Sequence, residues 1–155
     1  MMKKISLIFL ILLFFQNCGY TPIYSKNQNV DFYIESITFN DGDDDLAEHI
    51  KFNLNKYLNQ KDGKKYKINA NIQYKKVETN KNTLGEAEEY DLSSNIIFKI
   101  EGDNLSEIIK IKESSKMDNF NDEFEEREYE QIVKKSMARS IVSKLLIQLS
   151  RLNVN

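Results

Sequence analysis

Residues 66–75 read YKINANIQYK, and this stretch decides the fold. Apolar or aromatic side chains occupy positions 66, 68, 70, 72 and 74, and a polar residue stands between each pair. Successive side chains of a strand point to opposite faces, so this alternation predicts a β-strand with one buried face and one face in water. The sheet around it is therefore expected to be covered on one side.

The residues before this strand predict another strand and a helix. Residues 30–39 are rich in β-branched and aromatic side chains, and a bulge or twist near Ser36 would explain a shift in their apolar phase. Asp45 and Glu48 have the spacing of a capping box, and a helix is expected from there to about Asn59. Its apolar stripe comprises Leu46, Ala47, Ile50, Leu54, Tyr57 and Leu58.

The residues after it predict a hairpin and a second helix. A polar loop is expected over residues 79–89, then a strand with its apolar side from Tyr90 to Ile100, and after a turn a partner strand over residues 105–114. A long helix is expected over residues 123–152, with Asp122 and Glu125 as its cap pair. Its apolar stripe comprises Val133, Met137, Ala138, Ile141, Val142, Leu145, Leu146, Leu149 and Leu152.

The resulting order of elements is β-α-β-β-β-α. It predicts an α+β fold with a single four-stranded, mainly antiparallel sheet and two helices packed on one face. One domain is expected over residues 30–155, a length that suits a single modest core. The order of the strands within the sheet is left open.

The first 29 residues predict export. Two lysines precede an apolar run from Ile5 to Phe15, which is typical of a signal peptide over residues 1–17. Such a run makes roughly 16 Å of helix, about half the thickness of a hydrocarbon core. Cys18 stands where a lipoprotein signal has its acylated cysteine, so residues 18–29 are expected to be a lipidated cysteine and a tether. The alternative is an ordinary secretory signal with an incidental cysteine.

The rest of the chain is mildly acidic and offers little reactive chemistry. Without residues 1–17 it has 20 basic and 24 acidic residues, a formal charge of −4, which argues against nucleic-acid binding. One cysteine and one histidine, His49 on the expected wet face of the first helix, make no metal quartet and no cysteine–histidine dyad. We therefore expect no enzyme, no metal site and no cofactor apart from a covalent lipid on Cys18.

Candidate binding residues lie on polar strand faces. One face carries Lys67, Asn69, Asn71, Gln73 and Lys75, and another carries Asp91, Ser93, Asn95 and Lys99. Either water or the wet inner surface of a partner would suit such faces. Lys75, Lys76 and Lys81 are the expected basic contacts for anionic lipid headgroups.

Several short motifs resemble the lipopolysaccharide-assembly lipoprotein family LptE in its alphaproteobacterial form. Residues 18–24 (CGYTPIY) resemble the family's "CGF-x-P-LY" start. Residues 88–92 (EEYDL) are similar to its "RY-x-L" motif at the third strand. Residues 126–128 (ERE), together with 137–138 (MA), look like the acidic opening and alanine-rich middle of its final helix. The resemblance covers nearly the whole mature chain.

This resemblance implies a lipoprotein anchored at the periplasmic face of the outer membrane. Members plug the β-barrel protein LptD, help it assemble and take part in delivering lipopolysaccharide to the outer leaflet. Lys75, Lys76 and Lys81 would then contact lipopolysaccharide.

Two other classes of protein stay open. An envelope lipoprotein that binds a lipid or small ligand for another transport system would need a cavity between the sheet and the helices. A small periplasmic enzyme would need a convergent polar pocket. A plug, in contrast, needs a filled core and a polar outer sheet face.

Overall fold

The computed structural model describes residues 31–58, 63–85 and 87–154. The α+β class and the predicted order of elements are confirmed. The elements are β1 (Phe32–Asp41), α1 (Asp44–Leu54), β2 (Lys64–Lys81), β3 (Ala87–Gly102), β4 (Leu105–Asp118) and α2 (Glu123–Val154). The predicted signal peptide, the tether and Cys18 lie outside the described residues.

The four strands form one sheet in the order β1-β2-β3-β4. β1 and β2 are parallel, because α1 carries the chain back before β2 begins, and the other two pairs are antiparallel. The sheet is thus mixed and mainly antiparallel, as predicted. The expected irregularity in β1 is confirmed by a register shift between Ile34 and Ser36.

The core lies between the sheet and both helices, which pack on one of its faces. From β2 it takes Tyr66, Ile68, Ala70 and Ile72, none of which is more than 3% exposed. The apolar stripes of the helices supply the opposing side, in agreement with their predicted periodicity. The buried apolar helix residues are Leu46, Ile50, Leu54, Val133, Met137, Ala138, Ile141, Val142, Leu145 and Leu149. Full burial of one leucine, isoleucine, valine or methionine side chain stabilises the fold by about 2 kcal/mol.

The start and the end of α1 differ from the prediction. Asp43, not Asp45, is the N-cap, and its carboxylate accepts a hydrogen bond from the backbone N–H of Leu46 at 2.9 Å. The α-helix ends at Leu54 and continues only as a 3₁₀ turn over Asn55–Tyr57. Asparagine favours such ends, since its side chain competes with the backbone for hydrogen bonds.

The predicted polar loop over residues 79–89 is wrong, because most of it belongs to two strands. β2 continues to Lys81 and β3 begins at Ala87, so only residues 82–86 connect them. The Thr79 hydroxyl donates hydrogen bonds across the hairpin to the Glu89 carbonyl and carboxylate. Both faces of this hairpin end lie in water. Its sequence therefore lacks the alternation of apolar and polar residues that indicates a strand.

Candidate interaction surface

The outer face of the sheet points away from the helices. Twelve side chains occupy its centre, and none of them is an aspartate or a glutamate. Strand register aligns positions 69–75 of β2 with positions 93–99 of β3 and positions 108–114 of β4. Side chains at alternate positions of each strand share this face. The four rows across the sheet are Asn69–Lys99–Ile108, Asn71–Ile97–Lys110, Gln73–Asn95–Lys112 and Lys75–Ser93–Ser114.

Four exposed lysines make this block basic, and we call the twelve residues the lysine patch. The four are Lys75, Lys99, Lys110 and Lys112. None of them forms an ion pair with another described residue, whereas the neighbouring Lys65 and Lys67 both face Glu35. Strands lie about 4.8 Å apart, so the patch is a closely spaced cationic surface. Positive charge is therefore concentrated on one face of a chain with a net formal charge of −2.

A second group of charges lies on the opposite side of the sheet, where β2 meets the helices. We call it the ion cluster, and it comprises Asp43, Asp45, Lys76, Glu126, Glu130 and Lys134. Lys134 is 5% exposed and its amine lies 2.7 Å from Asp43, 3.3 Å from Asp45 and 3.6 Å from Glu130. Lys76 lies 2.6 Å from Glu126 and 3.0 Å from Glu130. The cluster therefore joins α1, β2 and α2.

Aromatic rings complete this cluster. The Tyr74 hydroxyl donates a 2.9 Å hydrogen bond to Glu130, and the amine of Lys134 lies 4.6 Å from the centre of the Tyr74 ring. Lys76 lies 4.5 Å from the centre of the Tyr90 ring. Such contacts between cations and rings are attractive and add to the ion pairs.

The titration of the cluster favours a stabilising role. Burial raises the pKa of the Tyr74 phenol, and its hydrogen bond to Glu130 raises that pKa further. Burial also opposes ionisation of Glu130, but its hydrogen bonds with Lys76 and Tyr74 outweigh that effect and lower its pKa. Both shifts move proton exchange away from neutral pH, where a general acid or base would need it.

The structure separates the three lysines that the sequence offered as headgroup contacts. Lys75 is exposed within the lysine patch, whereas the next residue, Lys76, points to the helix side and belongs to the ion cluster. Lys81 stands near the end of the hairpin, 2.7 Å from Glu78. The sequence did not single out Lys110 or Lys112, because their place beside Lys75 and Lys99 depends on strand register.

Two surface depressions accompany these groups. One, of about 550 Å³, is lined by residues 72–75 of β2 together with Gly42 and Asp43. The other, of about 310 Å³, lies between β4 and α2. Across residues 31–58, 63–85 and 87–154 no group of three or more metal-binding side chains is assembled, and no helix there has the length and hydrophobicity of a membrane span. His49 is only partly exposed, although the sequence predicted that it faces water.

Comparison with known proteins gives similarity of fold. No protein family profile and no curated protein matches the chain. Among solved structures, rare lipoprotein B from Shewanella oneidensis superposes with a TM-score of 0.61 at 13% identity, over 79% of this chain and 97% of that one. Lipoprotein B from Nitrosomonas europaea gives a TM-score of 0.56 at 14% identity, over 79% and 87% of the two chains.

A minor lipoprotein from Acinetobacter baumannii gives a TM-score of 0.52 at 19% identity, over 77% of this chain and 94% of that one. In each case the match spans most of both chains. The domain described above therefore has the fold of these three bacterial lipoproteins.

Proposed function

We propose that this protein is an outer-membrane lipoprotein of the Gram-negative envelope. An acyl chain on Cys18 holds it at the periplasmic face, where it plugs an LptD-like β-barrel, helps that barrel assemble and takes part in delivering lipopolysaccharide to the outer leaflet. Support comes from the fold shared with structures described as lipoproteins and from the motifs that resemble the LptE family. The proposal includes no enzymatic activity.

The observation that carries this proposal is the contrast between the two faces of the sheet. The helix-covered face is packed with large apolar side chains, such as Phe98, Ile96 and Tyr66. The outer face is basic and mostly polar: Ile97 and Ile108 stand among polar side chains, and its four lysines form no ion pair with a described carboxylate. Such a surface can lie against the water-lined wall of a barrel and beside anionic phosphates while it buries few apolar groups.

Purification of the tagged full chain from its own envelope in mild detergent tests the proposal. We expect a large outer-membrane β-barrel to be retained at one-to-one stoichiometry. The double variant Lys110→Glu/Lys112→Glu should retain at least fivefold less barrel, since it places negative charge in the lysine patch. The matched control Lys51→Glu/Lys135→Glu makes the same change of charge on exposed helix positions and should retain the barrel normally.

The anchor is tested in the same preparation. A labelled fatty acid should appear on the wild-type protein and be lost in Cys18→Ser. Recovery of a free monomer with a bound lipid would favour the alternative, an accessory lipoprotein of another transport system. Equal retention of the barrel by the patch variant and its control would contradict the role of the lysine patch.

A further inference from the structure

The two edges of the sheet are built differently. β1 has ten residues, and its register with β2 shifts twice, once after Ile34 and once after Phe39. β4 has 14 residues, and its pairing with β3 continues without a shift from Leu105 to Asp118. Short strands and bulges are devices that prevent another chain from pairing with an edge. β1 has both devices and β4 has neither; β4 instead carries Lys110, Lys112 and Lys116, which discourage pairing with a basic strand.

The outward backbone groups of β4 follow from the pairing of its hairpin. The turn sets Gly102 opposite Leu105, and the N–H of Asn119 donates to the Glu88 carbonyl at 2.9 Å. Because bonding alternates along an antiparallel pair, the odd-numbered residues of β4 bond to β3 and the even-numbered ones direct N–H and C=O outward. No other described strand pairs with those even-numbered residues.

One side chain interrupts this open edge. The amine of Lys144 in α2 donates to the Lys112 carbonyl at 3.4 Å and forms an ion pair with Glu113. The Lys144 side chain is 50% exposed and its contact with the Lys112 carbonyl is long, so the amine can leave that carbonyl and still pair with Glu113. The edge is therefore available over most of its length.

A groove lies beside the edge, between β4 and α2, and has a volume of about 310 Å³. Ser115, Ser136 and Ser140 have small side chains, and two large apolar groups at the rim are accessible to solvent: Tyr129 is 41% exposed and Ile132 is 64% exposed. Side chains that point to the helix side from a strand next to β4 would enter this groove. It is lined by Ser114, Ser115, Tyr129, Ile132, Ser136 and Ser140, among others.

We propose that the free edge of β4 accepts an extended strand from a protein partner whose residues alternate between acidic and apolar. Backbone hydrogen bonds to the even-numbered residues of β4 provide affinity, as in other cases of strand addition. Acidic side chains of the added strand lie on the outer face beside Lys110 and Lys112, and apolar side chains fill the groove at Tyr129 and Ile132. Opposite charges on neighbouring strands stabilise such a pair.

Charge argues against a second copy of this chain as the occupant. Two copies of β4 that pair antiparallel are related by a two-fold axis. Wherever this axis lies from residue 110 to residue 114, a lysine of one copy stands opposite a lysine of the other. The lysines in question are Lys110, Lys112 and Lys116. Like charges directly opposite each other on adjacent strands are destabilising. An acidic strand avoids this repulsion.

The test uses two synthetic nine-residue peptides and the purified full chain in detergent. One peptide alternates glutamate with valine, and the other has lysine in place of every glutamate. The acidic peptide should bind at least tenfold more tightly and should slow hydrogen exchange at the amides of Ile108, Lys110, Lys112 and Ser114. In Lys110→Glu/Lys112→Glu the preference between the two peptides should reverse.

A backbone variant separates strand addition from simple charge attraction. Lys110→Pro removes an outward N–H that is not used for pairing with β3, and it should weaken binding of the acidic peptide at least tenfold. Lys110→Gln keeps that N–H and should weaken binding much less. If the proline variant does not fold, slowed exchange confined to the even-numbered amides of β4 makes this distinction, because charge attraction alone does not protect them. Equal binding of both peptides, or slowed exchange on β1 in place of β4, would overturn the proposal, as would a β4–β4 dimer. The inference does not rest on the proposed function, since neither barrel nor envelope enters this test.

Discussion

Glu130 illustrates at the scale of one residue how partners outweigh burial. Its carboxylate accepts hydrogen bonds from Tyr74 and Lys76, and these lower its pKa although burial alone would raise it. A carboxyl with a lowered pKa in the folded state stabilises the fold above its unfolded pKa, about 4.3. That contribution is lost as the pH falls through the lower pKa of the folded state.

We therefore expect Glu130→Gln to lower the free energy of unfolding by about 2 kcal/mol at pH 7. The difference from the wild-type protein should shrink below pH ~4, because both proteins then carry a neutral group at this position. Urea unfolding at a series of pH values measures it. Glu128→Gln, at an exposed position beyond the first turn of the same helix, serves as the control and should differ little from wild type at pH 7. A difference that does not depend on pH would contradict the assignment.

At the scale of the element, the N-caps of the two helices show where residue spacing predicts a helix start correctly and where it does not. Asp122 was expected to cap α2, and its carboxylate indeed accepts hydrogen bonds from the backbone N–H groups of Phe124 and Glu125. Asp45 was expected to cap α1, but Asp43 does so. Three aspartates in succession, at positions 43–45, can each begin a helix. Lys134 on α2 pairs with both Asp43 and Asp45, but only the Asp43 carboxylate accepts from the backbone N–H of Leu46.

The cap of α2 can be tested cleanly because Asp122 is exposed. Asp122→Ala should destabilise the protein by about 1 kcal/mol, and Asp122→Asn, which keeps an accepting oxygen, by only a few tenths. Thermal unfolding of the two variants measures the difference. Equal losses would mean that charge near the helix dipole, and not the hydrogen bond, supplies the stabilisation.

At the scale of the whole molecule, Lys134 joins elements that are far apart in sequence. From α2 it reaches the carboxylates at the start of α1 and the Tyr74 ring on β2. Lys144 lies on the same helix and also pairs with a carboxylate, that of Glu113, but its side chain is 50% exposed whereas that of Lys134 is 6% exposed. The two lysines form a matched pair for comparison.

Lys134→Met should lower the free energy of unfolding by roughly 3 kcal/mol, because it leaves partly buried carboxylates without their counter-charge. Lys144→Met should lower it by only about 1 kcal/mol, since the Lys144 amine is half exposed and water screens its charge. Denaturant unfolding of both variants under the same conditions gives the comparison. Similar losses would show that burial of the ion cluster does not determine its strength.

The sequence alone determined the class of fold, the order of its elements and the composition of its core. These follow from side-chain periodicity, which is local: alternation marks residues 66–74, and the helical stripe marks residues 133–149. The sequence did not predict the strands at the hairpin end, residues 79–89, because both of its faces are in water. Only pairing between β2 and β3 holds these residues in strands.

Only the tertiary structure determined which side chains come together in the lysine patch, in the ion cluster and at the free edge of β4. Lys75 and Lys76 are adjacent in the chain but belong to opposite faces of the sheet, whereas Lys75, Lys99, Lys110 and Lys112 share one face across three strands. The choice of β4 as a free edge, and the assembly of the ion cluster, likewise depend on strand order and helix placement. Register is fixed by contacts between residues far apart in the chain, and local periodicity carries no information about those contacts.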